Sequence, residues 1–180
     1  TSYTLEHFDQ KTRRAKGYSY SVVANVAEVV KGRNQIAETK LSSSVKGFNA
    51  LFATSSISDA KAYYQAFKEQ QAGRTPDQRL KIATIFSYAA NEATDGHLDE
   101  EGFETSGLDK SSRDFLDMAI DDYNAMFGTS YDTSADKFQN YYKDLSMRLK
   151  NRDLDLVIVV NMFLTGFDAT TLNTLFVDKN

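Results

Sequence analysis

From Leu154 to Val160 runs an apolar stretch of strand length, rich in β-branched side chains, that passes directly into polar Asn161 and then into Gly166-Phe167-Asp168. A strand this apolar belongs inside a sheet covered on both faces, and parallel sheets are the ones built that way. Polar and glycine residues just past its carboxyl end then mark where a binding site opens. Gly166 permits a positive φ or a close backbone approach, and Asp168 supplies an acceptor suited to a ribose hydroxyl or a water. The same turn also reads as a plain β-to-α connection with Asp168 as a cap.

The rest of the chain repeats the alternation. Tyr3 to Arg14 reads as an amphipathic helix, with Leu5 and Phe8 on one face and basic residues at its end. Residues 18 to 47 carry Val22, Val23, Val26, Val29 and Val30 at spacings that lean towards helix, and Ser42-Ser43-Ser44 with Gly47 reads as a connector. Phe48 to Thr54 then reads as a strand, and Ser55 to Asp59 offers N-caps for a helix from about Ala60 to Gln71. Leu80 to Tyr88 is a second strand. A polar, acidic stretch over 93–110 reads as a surface loop.

Two further helices are expected. In the first, after Ser111 or Ser112, Phe115, Met118, Ala119, Tyr123, Met126 and Phe127 mark a face, and Gly128 stops it. The second spans Ser134 to Lys150, with Phe138, Tyr141, Tyr142, Leu145 and Leu149 aligned. Strands alternating with helices predict an α/β fold with a mostly parallel sheet.

Composition narrows the function classes. No apolar run approaches the roughly 20 residues that span a bilayer, and no basic segment precedes an apolar one, so a membrane or secretory role gains no support and the cytoplasm is the default. The absence of cysteine excludes a disulfide frame and a thiolate metal site. A net charge of -4 argues against a surface that grips nucleic acid everywhere, though not against local phosphate contacts. Acidic residues concentrate between Asp95 and Asp122, while Lys11, Arg13, Arg14 and Lys16 make the N-terminal segment basic: either a solvated helix end or a phosphate-contacting patch.

In a parallel sheet the loops after all three predicted strands open on one edge, where helix N-termini favour anions. Ser55 and Ser56 fit a phosphate-backbone contact or, equally, a simple N-cap. Asp95 to Glu101 lacks the spacing of a calcium loop and reads as a solvated acidic loop. His7 reads as a packing or surface residue, and Tyr63, Tyr64, Phe67, Tyr141 and Tyr142 as core rather than base-stacking platforms.

Residues Asn161 to Ala169, followed by Leu172 to Lys179, closely resemble motif V and the next strand of the motor subunit of type I restriction-modification enzymes. Leu5 to Asp9 resembles the same family, as does Phe48 to Ala62, which corresponds to its motif IV strand and helix. The resemblance implies an incomplete second RecA-like helicase domain of superfamily 2, with the P-loop NTPase fold, cut from a longer polypeptide. Residues 1–47 would be a helical lead-in and connector, and 48–180 the RecA-like domain with an acidic loop and helical insertion at about 93–150.

By the same likeness the parent would be an ATP-dependent double-stranded DNA translocase and endonuclease, working with modification and specificity subunits in a bacterial or archaeal cytoplasm. Gly166 and Asp168 would face nucleotide across from the first RecA-like domain, while Ser55, Ser56, Asn161 and Met162 would lie towards DNA. Val160-Asn161 stands where superfamily 2 proteins often have Thr-Asp, which removes a hydroxyl contact at that point. ATP and Mg2+ would serve the full-length enzyme. This chain carries no Gly-x-x-x-x-Gly-Lys-Ser/Thr loop, no Asp-Glu-x-His box and no arginine-bearing motif VI. On that ground it is expected to hold no catalytic residue, metal site or cofactor of its own. The alternative is a regulatory or protein-interaction α/β domain without catalysis.

Overall fold

The structure, a computed structural model, describes residues 1–14, 16–32, 36–86, 108–160 and 169–178. In chain order the elements are α1 (Ser2–Lys11), β1 (Gly17–Val23), α2 (Val26–Lys31), β2 (Lys40–Lys46), β3 (Asn49–Thr54), α3 (Ile57–Gln71), β4 (Ile82–Ile85), α4 (Lys110–Phe127), α5 (Ala135–Lys150), β5 (Leu156–Val160) and β6 (Leu172–Val177).

Four strands form one parallel sheet in the order β4-β5-β3-β6. The apolar run that follows Leu154 becomes β5, buried at every position, and β3 beside it is buried throughout as well. Both therefore lie under cover on two faces, as their uninterrupted apolar sequences require. β6 is an edge strand with alternating burial, and its Leu175 and Val177 are 53% and 51% exposed. Helices flank the sheet: Phe52 of β3 meets Tyr63 and Phe67 of α3, and the Tyr141 hydroxyl of α5 donates to the Thr84 carbonyl of β4 at 2.7 Å. The expected α/β architecture, a RecA-like parallel sheet flanked by helices, is the observed one.

Local chemistry sets most boundaries. Ser56 caps α3, accepting from the Asp59 N–H, and Asp109, rather than Ser111 or Ser112, caps α4 by accepting from the Ser112 N–H. Gly128 ends α4 at φ +68°, a left-handed conformation that glycine adopts without strain. The buried face of α4 is Leu116, Ala119, Ile120 and Tyr123, whereas Met126 is exposed and Phe115, Met118 and Phe127 pack at the margin. Side-chain bulk had pulled the expected stripe sideways from that 3.6-residue period.

Residues 18–47 differ most from expectation. Among the described residues there, only Val26–Lys31 is helical; β1 and β2 form an antiparallel pair running from Gly17 opposite Lys46 to Val23 opposite Lys40. Ser42-Ser43-Ser44 is strand, not connector. The valines that suggested one helix straddle a strand end and a short helix, and the turn between them restarts the period. Val23, Val29, Val30 and Met147 then form a second apolar cluster that docks this hairpin on α5.

The amino edge of the parallel sheet is closely fastened. Gly47, at φ +75°, donates to the Lys16 carbonyl at 2.7 Å, Phe48 donates to Thr12 at 2.8 Å, and Asn49 donates to Thr171 at 2.9 Å. A Cβ on Gly47 would lie 2.4 Å from the Arg14 Cα, so the two backbones cross where only glycine fits. Asp155, just before β5, receives the Lys81 N–H at 2.8 Å and pairs with Arg152 at 2.8 Å and Arg14 at 3.7 Å. Among the described residues no helix is long and apolar enough to cross a membrane. Residues 93–107 of the expected acidic loop and the last two of the expected second strand lie outside the described residues, whereas Asp109 and Lys110, at the close of that loop, cap and begin α4.

Candidate functional site at the carboxyl edge of the sheet

Because β3 and β5 are parallel neighbours with Thr54 opposite Val160, the segments that follow them start side by side. The Thr54 hydroxyl reinforces that end, 3.2 Å from both the Val159 and the Ser56 carbonyl oxygens. Ser55 and Ser56 come next. Ser55 donates its hydroxyl to the Asp59 carboxylate at 3.0 Å, Ser56 donates to the same oxygen at 2.6 Å, and the Asp59 N–H donates back to the Ser56 hydroxyl at 3.1 Å.

A carboxylate thus sits at the N-terminus of α3, where partial positive charge from the first helical turn favours an anion. Both serine hydroxyls are engaged by it. The backbone N–H groups of Ile57 and Ser58 find no acceptor among the described residues, so the helix terminus retains donors that point outward.

Tyr63 and Asp178 complete this edge. Burial, followed by a hydrogen bond to the Asp178 carboxylate, raises the Tyr63 phenol above its ordinary pKa, which keeps it a neutral donor. The Asp178 N–H donates to the Ala53 carbonyl at 3.0 Å, holding the end of β6 against β3. Sequence reasoning had not singled out Thr54, Asp59 or this Tyr63–Asp178 pair. The Ser56-x-x-Asp59 spacing was the available signal, because a cap residue and an acidic residue three positions on form a reciprocal pair at a helix start.

Of the residues expected to form the site, the structure brings Ser55 and Ser56 together. Asn161, Met162, Gly166 and Asp168 lie outside the described residues. Tyr64, Phe67 and Tyr141 are core, and His7 packs its ring 4.4 Å from that of exposed Tyr3 at a tilt of 51°, in line with a surface or packing role. Among the described residues no group of three or more His, Asp or Glu is arranged to hold a metal ion.

A second polar cluster lies between α4 and α5. Buried Asp144 receives the Tyr123 hydroxyl at 2.7 Å and the Arg148 Nε at 2.9 Å, and Arg148 covers the Phe127 ring at 4.1 Å. Burial opposes the charge on Arg148, but the hydrogen bond and charge of Asp144 outweigh it and raise its pKa. Asp144 thus joins a donor from α4 to one from its own helix, which makes the cluster a fastening between helices.

With this edge defined, comparison with known proteins decides the family. Residues 46–180 match the family model of type I restriction enzyme subunit R domain 3. The chain belongs to that family. It is 38% identical over 135 residues to a type I restriction enzyme endonuclease subunit of Staphylococcus aureus strain COL. It is 43% identical over 136 residues to such a subunit of Staphylococcus saprophyticus. Each match covers 74% of the chain and 13% of the relative, so the chain spans about one-eighth of the length of these subunits. The likeness carried by the motif IV and motif V strings therefore extends through the central helices, where the sequence was less distinctive.

Proposed function

We propose that this subunit R domain is the second RecA-like motor domain, over residues 48–180, of an ATP-dependent double-stranded DNA translocase and endonuclease. The parent would act in the cytoplasm with modification and specificity subunits. The observation that carries the reading is the parallel β3–β5 pair, in which Thr54 lies opposite Val160, so that the chain leaves both strands on one sheet edge. That juxtaposition suits a strand-end site shared with another domain.

In this reading Gly166 and Asp168 face nucleotide, with the first RecA-like domain of the same polypeptide as the opposite wall. Ser55, Ser56, Asn161 and Met162 lie towards the DNA backbone. The Ile57 and Ser58 amides, without an acceptor among the described residues, support a phosphate contact at the start of α3. ATP and Mg2+ bound in the full-length enzyme would supply phosphoryl-transfer energy, while the isolated chain would hydrolyse no ATP. Asp168→Ala in the full-length subunit should slow ATP turnover and translocation and leave assembly with partner subunits intact. Unchanged ATPase in a folded variant would overturn the nucleotide role.

One observation favours a second reading, an interaction domain without catalysis: both serine hydroxyls are already engaged by Asp59. The reading frame beyond this segment separates the two. A motor requires a phosphate loop upstream and an arginine-bearing motif downstream.

A further inference from the structure

Charge in this chain is strongly segregated. Residues 10–46 contain eight of its 21 lysines and arginines but two of its 25 acidic residues, a local net charge of +6 that leaves -10 for the remainder. The structure shows where that charge goes. Arg14 is held by Asp9 at 3.6 Å and Asp155 at 3.7 Å, so it is internally balanced. Lys11, Arg13 and Lys16 are exposed on one turn, which closes through the Lys16 N–H to the Arg13 carbonyl at 2.8 Å. Arg13 sits there at φ +50°, a conformation uncommon for a side-chain-bearing residue.

This turn leads directly into β1, where Gly17 pairs with Lys46, so a fourth basic residue occupies the adjoining register position. Further along the same hairpin face, Ser19 lies opposite Ser44 and Ser21 opposite Ser42, all four exposed, before Val23 pairs with exposed Lys40. Glu38, 3.7 Å from Lys40, is the acidic neighbour at that far end. The arm is seated through the apolar cluster with Met147 and two hydrogen bonds between the Asn151 side chain and the Val23 backbone, one in each direction.

We infer that the Lys11–Lys16 turn and the adjoining open face of the β1–β2 hairpin form a second contact surface for the phosphate backbone of duplex DNA. It lies at the amino edge of the parallel sheet, about 20 Å along β3 from the carboxyl-edge site. Lysine, arginine and serine hydroxyls are the groups that hold phosphates without reading bases. A protein-docking surface would instead present aromatic or aliphatic anchors at its centre, and the exposed side chains described on this face, Ser19, Ser21, Lys40, Ser42 and Ser44, include none. The inference rests on the reading that the parent engages duplex DNA, and the experiment separates the two.

The test uses the full-length subunit and a random-sequence duplex, with binding followed by fluorescence anisotropy between about 50 and 200 mM salt. Lys11→Gln/Arg13→Gln/Lys16→Gln should weaken binding roughly tenfold or more at the low-salt end and flatten the salt slope by about 0.9 for each phosphate left unneutralised. A variant with Lys11→Arg and Lys16→Arg should bind as the parent does. Lys110→Gln/Lys137→Gln/Lys143→Gln, with equal charge loss on α4 and α5, should change neither quantity. An unaltered slope in the first variant overturns the inference while leaving duplex binding established. So does a loss confined to association with partner subunits, which would mark the face as a protein contact. No duplex binding by the parent overturns both.

Discussion

The Asn151 side chain forms a two-way pair with the backbone of Val23, accepting its N–H at 2.8 Å and donating to its carbonyl at 2.9 Å. One amide thereby stands in for a neighbouring strand and closes the end of β1 where the ladder with β2 stops.

Removing that amide exposes a specific cost. Asn151→Ala leaves a buried backbone donor and acceptor without partners, so stability should fall by about 2–3 kcal/mol. Hydrogen exchange should locate the loss: the amides of residues 17–23 and 40–46 should lose protection well before those of β3 and β5. Uniform loss across both sheets would show that the hairpin and the parallel sheet unfold as one unit.

Two glycines of similar φ should respond very differently to alanine. Gly128→Ala meets no atom within 4 Å and bears only the left-handed backbone penalty, about 1 kcal/mol. Gly47→Ala places Cβ 2.4 Å from a backbone atom, so the crossing must open, at a cost of at least about 3 kcal/mol. Urea midpoints of the two variants give the comparison, and equal shifts would contradict the crossing.

Alkaline stability should decline in a defined window. Burial, then Asp144, pushes Tyr131 up to about 12, and burial raises Tyr64, Tyr123 and Tyr141 further. These phenols ionise near pH 10 in the unfolded chain, so their contribution is fully present below about pH 10 and is lost as pH rises towards 12 and beyond. Denaturant titrations at a series of pH values should show stability falling across that window. Tyr123→Phe should flatten the fall and cost about 1–3 kcal/mol at neutral pH, because Asp144 loses a donor. An alkaline fall that is unchanged in Tyr123→Phe would count against it.

At the carboxyl edge, Ser56→Ala removes the α3 cap and should lower stability by about 1 kcal/mol. Asp59→Asn is the more informative change. If phosphate competes with the carboxylate for the two serines, this variant of the full-length subunit should bind duplex DNA more tightly. Unchanged affinity would confine Ser55 and Ser56 to capping.

Much of the sheet was legible because its signals were local and long enough. Leu156 to Val160 carries the apolar, β-branched run of a covered strand, and Gly128 ends α4 through a left-handed backbone that needs no tertiary context. The 18–47 region was not legible, because its deciding contacts are distant: Val23 finds Asn151 and Met147 more than a hundred residues away, and no window along the chain holds both. The site was half legible for a related reason. Ser55 and Ser56 were placed at the correct strand end, but Asp59, their partner, read as one more cap.

The family match begins at residue 46, the last residue of β2, and so passes through the base of the hairpin and just beside the Gly47–Arg14 crossing. A polypeptide trimmed to that boundary would lose Arg14 from Asp155, Val23 from Asn151, and Thr12 from the amide of Phe48. The contacts that hold the matched stretch in place therefore reach back across its first residue, to a turn and a strand that the match does not include.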